Sequence, residues 1–548
     1  MSAANGPRGD RARSWPIGRR RGVSAAALLL TASLAVAISA PVAVAGAAPS
    51  KGHSDSAGTA AGGPVRSCES LASVAIADAA DDVVLTIDST VVDDGDETLP
   101  PSCRVEVSAT HPPAGDDVNI WIWLPTTNWN GRFQGTGGGG FSGGSQNSLQ
   151  GPLRAGYATG ATDTGHVGGS GSFALDENGR LNWQLIRDNA YLGIHEMTVA
   201  GKTLTEAFYG TAPRYSYFNG CSTGGRQGLS EAQRYPGDYD GMLSGAPAIN
   251  WPKLHVAQLW GQLKMLESGN FVAQCKFQAA NDAAVTTCDG IDGVADGVIE
   301  DPNRCTFDPS TLVGTETACG PITAADADVI QAIWEGPRTS DGDFLWYGLE
   351  PGASFGGLNN TTGTPPQGSP FGITLQWFRY FLTMDPEWDW ATIDQDAYEL
   401  FWLQSVAQYG EVLGTDNPDL SDFAARGGKI VMWHGWNDQL IYPMGTVDYY
   451  DRVVDTMGGR SKSDKFIRLF MAPGVAHCGG GTGPSPTGQF EALVRWVEEG
   501  KPPETLTAQR QVGDVTRTRP LCMYPLVARY KGNGSTDDAA SFQCKKEF

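Results

Sequence analysis

Between about Cys68 and Ile249, short apolar runs of strand length alternate with stretches of helical period. Val118-Asn119-Ile120-Trp121-Ile122-Trp123-Leu124 predicts a strand with two usable faces. Glu196 to Tyr209 predicts a helix that stops before Gly210. Tyr215-Ser216-Tyr217-Phe218 predicts a strand, and Arg226 to Tyr235 a helix stopped by Pro236. From about Asn250 to Ala425 the periodicity loosens as Trp, Pro, Gly and Asn rise. It resumes with a strand over Lys429–Trp433, a helix over Val447–Met457, a strand over Phe466–Phe470 and a last helix over Gln489–Glu499. The pattern is that of one α/β core interrupted by an insertion of about 175 residues.

The chain is divided accordingly. Arg19-Arg20-Arg21, an apolar run from about Ala25 to Val44 and the small residues Ala43-Val44-Ala45 predict a cleaved signal peptide over 1–48. The paired arginines also permit twin-arginine export. A loose Gly/Ser/Ala linker over 49–66 is expected to be disordered. The first part of the core is 67–249, the insertion 250–425 and the second part of the core 426–548. Secretion is the expected destination, with no membrane association after cleavage.

Of 548 residues, 39 are Lys or Arg and 61 are Asp or Glu, a net charge of −22. The first 48 residues carry six Arg against one Asp, so the remainder stands near −27. That excess argues against nucleic acid or an anionic membrane as partner. Ten cysteines, an even number in an exported chain, predict disulfides. Sequons open at Asn359, Asn360 and Asn533.

Chemistry concentrates at Gly220-Cys221-Ser222-Thr223-Gly224. Gly-x-Ser-x-Gly between a strand and a helix is the pattern that exposes a nucleophilic serine on a tight turn. A serine hydroxyl needs a base, and the base a carboxylate to orient it. Only two of the seven histidines, His434 and His477, follow the insertion. His477 and Asp438 each sit just after a predicted strand, so the order Ser222, Asp438, His477 gives a nucleophile, orienting acid and base. His434 is read as support for the Asp438 loop. Oxyanion donors are expected from the backbone of Thr223 and from Gly137-Gly138-Gly139-Gly140, with Gly139 or Gly140 favoured.

A second cluster lies in the insertion: Asp289-Gly290-Ile291-Asp292-Gly293-Val294-Ala295-Asp296-Gly297-Val298. Three carboxylates so close repel one another unless a cation joins them, and hard oxygen donors suit Ca²⁺. Cys288 and Cys305 bracket the loop.

Taken together, the elbow Gly220–Arg226, the Asp438 loop and the pair His477-Cys478 resemble the tannase and feruloyl esterase family, which includes mono(2-hydroxyethyl) terephthalate hydrolase relatives. Asp163-Thr164-Gly165-His166 and Tyr235-Pro236-Gly237-Asp238-Tyr239-Asp240-Gly241 resemble family segments too, so the likeness runs from about Cys68 to Cys544. The resemblance implies an α/β-hydrolase core with a large inserted lid domain. It also implies a structural Ca²⁺ in the lid, held by Asp289, Asp292, Asp296 and the carbonyls of Val294 and Val298. Further, it implies a disulfide from Cys221 to Cys478 and local pairs Cys68–Cys103, Cys288–Cys305 and Cys522–Cys544, leaving Cys275 with Cys319.

The expected activity is a secreted serine esterase on aromatic or phenolic acid esters, free or linked to plant polymer, with feruloyl esters first. Trp334, Trp346, Trp377, Phe378, Trp388 and Trp390 are available to stack on a ring, though core packing is their default. Arg379 or Arg338 would be needed to anchor a substrate carboxylate. The alternatives are a serine peptidase or amidase on the same fold and a non-catalytic Ca²⁺-stabilised binding protein.

Overall fold

The structure, a computed structural model, describes residues 62–76 and 83–546. The expected signal peptide and most of the linker lie outside the described residues. Within the stretch read as linker, residues 62–66 are described, and the Val65 N–H donates to Phe208 O at 2.8 Å.

Nine strands form one sheet: β1 Val84–Asp93, β2 Ser102–Thr110, β3 Val118–Pro125, β4 Arg132–Thr136, β5 Ala158–Thr162, β6 Tyr215–Cys221, β7 Gly241–Gly245, β8 Lys429–Gly435 and β9 Ile467–Ala472. Their order is β1-β2-β3-β5-β4-β6-β7-β8-β9. From β5 to β9 neighbouring strands are parallel, while β1, β2 and β3 run antiparallel to one another and β3 antiparallel to β5. The first stretch therefore opens with an antiparallel meander, not with the strand–helix alternation its sequence predicts. β7, β8 and β9 are buried over nearly their whole length, as parallel strands covered on both faces must be.

Helix α1, Gly193–Tyr209, ends at Gly210 in a left-handed conformation with φ 72°. Helix α2 covers Thr223–Arg234 and begins three residues before the predicted start. Thr223-Gly224-Gly225 has weak helix propensity, but the turn at Ser222 commits the chain to a helix at once. The helix α8 spans Pro443–Thr456, set by Pro443 in its first turn, and α9 spans Gln489–Glu499 as predicted.

The insertion leaves the sheet after β7 and returns at β8. Its main helices are α3 Trp251–Ala257, α4 Trp260–Ser268, α5 Gln274–Cys288, α6 Ala324–Glu335 and α7 Gln395–Leu413. They enclose their own apolar cluster, including Trp251, Trp377, Phe378 and Tyr409, which also takes in Phe141 and Tyr442 from the core loops. The lid is thus seated over the sheet end where the glycine loop and the Asp438 loop emerge. No helix among the described residues is long and apolar enough to cross a membrane.

Candidate active site

Ser222 sits at the junction of β6 and α2 with φ 63° and ψ −124°, a strained backbone conformation for a side chain with a Cβ. The turn is tight enough that a Cβ on Gly220 would meet the Gly224 carbonyl carbon at 2.4 Å. Strain of this kind lifts the hydroxyl out of the sheet edge into the cavity under the lid.

Asp438 is fully buried in the loop after β8. Its Oδ1 accepts the main-chain N–H groups of Leu440 at 2.8 Å and Ile441 at 2.9 Å. Its Oδ2 lies 2.8 Å from His477 Nδ1 and 3.0 Å from His434 Nε2. Burial pushes the Asp438 carboxyl up, but the hydrogen bonds and charges of the two imidazoles outweigh it and hold the carboxyl well below its ordinary range. His434 is itself buried, with Nδ1 at 2.8 Å from Thr446 Oγ1, so it packs behind Asp438 and away from the cavity.

His477 and Ser222 line one cavity of about 400 Å³. No hydrogen bond joins their side chains; Cys478 Sγ lies 3.6 Å from His477 Nε2. Catalytic contacts of this type are commonly loose before substrate binds. The His477 main chain is pinned by its N–H donating to Gln439 Oε1 at 3.1 Å.

Gly139, Gly140 and Thr223 line the same cavity. The nucleophile helix grips the glycine loop: Thr223 Oγ1 donates to Gly140 O at 2.6 Å and the Gly224 N–H to Gly138 O at 3.0 Å. The Gly138 N–H is committed to Gln227 Oε1 at 3.0 Å, which removes it as an oxyanion donor. Thr223, in the first turn of α2, has no intrahelical acceptor for its N–H.

The four cysteine pairs implied by the resemblance form, Cys68–Cys103, Cys221–Cys478, Cys288–Cys305 and Cys522–Cys544, and so does the remaining pair Cys275–Cys319. The second crosses 257 residues and links the neighbours of Ser222 and His477. Replacing Cys221 and Cys478 together by Ser should cost about 5 kcal/mol of stability by the chain-entropy relation. It should also lower kcat by up to about 100-fold through misplacement of the two side chains. Thermal unfolding and steady-state kinetics of the double variant check both; an unchanged kcat would contradict the positioning role.

The rest of the cavity lining is mostly apolar, with Trp251, Leu254, Phe371, Ile373, Leu440 and Ile441, and Gln258 adds one neutral polar side chain. His255 also lines it, and burial drops that imidazole to about 3, so it is neutral. Among the described residues, no Lys or Arg lines the cavity. Arg379 Nε donates to Trp388 O, and Arg338 donates to the carbonyls of Pro337 and Trp346. None of the six lid aromatics suggested by the sequence reaches the cavity. Trp346, Trp377 and Phe378 are buried in the lid core, and Trp334 and Trp388 pack against it. Trp251 and Phe371 take their place, and only the docking of the lid reveals it.

In the acidic lid loop, Asp289 accepts the N–H groups of Asp296, Gly297 and Val298 at 3.0, 2.9 and 3.2 Å. Asp292 Oδ1 accepts the Val294 N–H at 2.8 Å, and Asp296 Oδ2 pairs with Arg519 at 2.5 Å. Burial first, then the charges of Asp296 and Asp289, push Asp292 up to about 6 despite the Val294 hydrogen bond. The donor chemistry, oxygen throughout, fits a hard divalent cation; Asp289 and Asp296 would have to exchange their present partners for it.

A family profile described as "Tannase and feruloyl esterase" matches residues 103–545. The chain belongs to the tannase and feruloyl esterase family. It is 43% identical over 462 residues to a "Probable feruloyl esterase" of Arthroderma benhamiae, covering 81% of this chain and 86% of that protein. It is 32% identical to the feruloyl esterase B of Aspergillus niger, again over 81% and 86%. Among solved structures, feruloyl esterase B from Aspergillus oryzae aligns with a TM-score of 0.73 and 28% identity, over 87% of this chain and all of that one. A tannin acyl hydrolase from Aspergillus niger aligns with a TM-score of 0.75 and 27% identity, over 85% and 90%. The fold is that of the α/β-hydrolase members of this family, and the chain is a carboxylic ester hydrolase.

Proposed function

We propose that this member of the tannase and feruloyl esterase family is a secreted serine esterase that cleaves esters of uncharged phenolic acids, feruloyl esters foremost. The cavity carries the reading: its lining joins a serine and a histidine to a largely apolar, uncharged slot. Ser222 Oγ attacks the ester carbonyl as His477 takes its proton. Asp438 holds the Nδ1–H tautomer and stabilises the imidazolium. The backbone N–H groups of Thr223 and of Gly139 or Gly140 receive the oxyanion. His477 returns the proton to the leaving alcohol, and water then hydrolyses the acyl-enzyme by the reverse use of the same groups.

Trp251 and Phe371 suit a planar ring, and without a cation in the wall a second carboxylate would be buried unpaired. The test is a panel of methyl ferulate, methyl gallate, a terephthalate monoester and the anilide of ferulic acid. The two phenolic esters should turn over. The terephthalate monoester should lag by at least about tenfold in kcat/KM, a barrier difference near 1.4 kcal/mol. Preference for the terephthalate monoester would overturn the substrate class, and equal turnover of the anilide would favour an amidase.

Ca²⁺ held by Asp289, Asp292, Asp296 and the carbonyls of Val294 and Val298 would be structural, supplying charge neutralisation to the lid loop and no part of the chemistry. Chelation should lower the melting temperature of the wild type, by about 1 °C per kcal/mol of binding free energy lost for a chain of this size. Asp292→Asn should abolish that dependence. A melting temperature indifferent to chelator and to added Ca²⁺ would remove the ion from the account.

A further inference from the structure

Away from the cavity and the lid loop, the described residues include a cluster of buried ionisable side chains built around one imidazole. His111, in the turn after β2, and Asp116, just before β3, meet Asp188 and Glu196 from the segment entering and beginning α1. All four are buried, Asp188 at 0% and Glu196 at 1% exposure. His111 Nδ1 lies 2.7 Å from Asp116 Oδ2 and 3.8 Å from Asp188 Oδ1, and Nε2 lies 2.8 Å from Glu196 Oε1. Ligand atoms of His111, Asp116 and Asp188 all fall within 4.8 Å of one another.

Three features go beyond an acidic cluster. Asp188 Oδ2 and Glu196 Oε2 are buried with no hydrogen-bond partner. The ion pairs of these three carboxylates all run to the single imidazole, so no Lys or Arg neutralises them among the described residues. The other atoms are already oriented. Asp116 Oδ1 accepts the His111 main-chain N–H at 3.1 Å, and Gln184 Nε2 donates to Asp188 Oδ1 at 2.8 Å. Glu196 Oε1 on Nε2 is the carboxylate–histidine arrangement that fixes the opposite nitrogen as a lone-pair donor to a metal. The second such group, His195, Glu231 and Asp238, differs in having Lys202, which donates to Asp238 O.

We propose that His111, Asp116 and Asp188 bind one divalent transition ion of the Zn²⁺ class, with Glu196 orienting the imidazole. One nitrogen among carboxylates suits Zn²⁺, whose bonds of about 2.0–2.2 Å put ligand atoms roughly 3.3 Å apart, whereas Ca²⁺ takes six to eight oxygens. The ion replaces the proton that otherwise must sit on Nδ1 and balances the carboxylates.

The site would be structural with a catalytic consequence. Asp188 opens the segment Asp188–Leu192. In it, the carbonyls of Asn189 and Ala190 accept from Arg226 of α2 at 3.0 and 2.8 Å, and Asn189 Nδ2 donates to Phe141 O of the glycine loop at 3.0 Å. An ion at Asp188 ties the β2–β3 turn to the brace behind the nucleophile helix.

The experiment loads the full-chain protein with Zn²⁺ in the presence of Ca²⁺, desalts it and measures bound metal by mass spectrometry. A parallel sample is loaded with Mn²⁺. Wild type, Asp292→Asn and His195→Gln should each retain about one equivalent of one of the two ions, and His111→Gln and Asp188→Asn close to none. Absorption spectra at the metal edge of the loaded wild type should show one imidazole among oxygen ligands, a readout that needs no folded variant. Wild type that retains neither ion, retention undiminished in both His111→Gln and Asp188→Asn, or a spectrum without imidazole would each overturn the site.

Discussion

Ser222→Ala is expected to lower kcat on a feruloyl ester by about 10⁶-fold while leaving the fold intact. Nucleophile and base act as a unit, so loss of either removes nearly all the advantage of the covalent route. What remains, about 10³–10⁴ over water, is what the oxyanion donors and the apolar slot supply. The melting temperature should move little. Ala occupies the strained φ of 63° no less readily than Ser, and no hydrogen bond of the Ser222 hydroxyl is lost. Steady-state kinetics and a thermal scan on one preparation separate the two effects. A variant with more than about a hundredth of wild-type kcat would place the nucleophile elsewhere.

Asp438→Asn should cost about 10⁴-fold in kcat. The carboxylate receives four donors, two main-chain N–H groups on Oδ1 and two imidazoles on Oδ2. An amide offers one oxygen and presents an NH₂ to the other pair, so one donor pair faces another donor whichever way it turns. Leaving them unpaired costs about 1–3 kcal/mol of stability, and His477 loses the partner that sets its tautomer. The stability cost is pH-dependent. Because the folded carboxyl is depressed, its contribution is fully present above the unfolded value of about 3.9 and fades as pH falls through the lower folded value. The gap between wild type and variant should therefore hold from neutral pH down to about 4 and close below it. Urea titrations at several pH values measure this, and a gap constant to low pH would contradict the depressed carboxyl.

The candidate site was legible where its chemistry is local. The elbow is written in five consecutive residues, and the Ser, Asp, His order follows from strands that end in short loops. His434 was read as support for the Asp438 loop, and the structure buries it between Asp438 and Thr446. What the sequence did not carry depends on distant segments meeting. β1 to β3 are an antiparallel meander because their pairing is decided across the sheet, and strand-length runs look alike in either arrangement. Trp251 and Phe371 face the cavity only because the lid docks as it does, while more numerous tryptophans are spent inside the lid. His111 and Glu196 touch across 85 positions, and nothing local to either announces the other.

The most direct test of the account is to trap the acyl-enzyme. The protein is mixed with a feruloyl ester, quenched in acid within one turnover, and its peptides are weighed. One feruloyl group on the peptide that carries Ser222, absent from Ser222→Ala, is the predicted result. Turnover of the ester with no acylated peptide, or acylation at another residue, would contradict it.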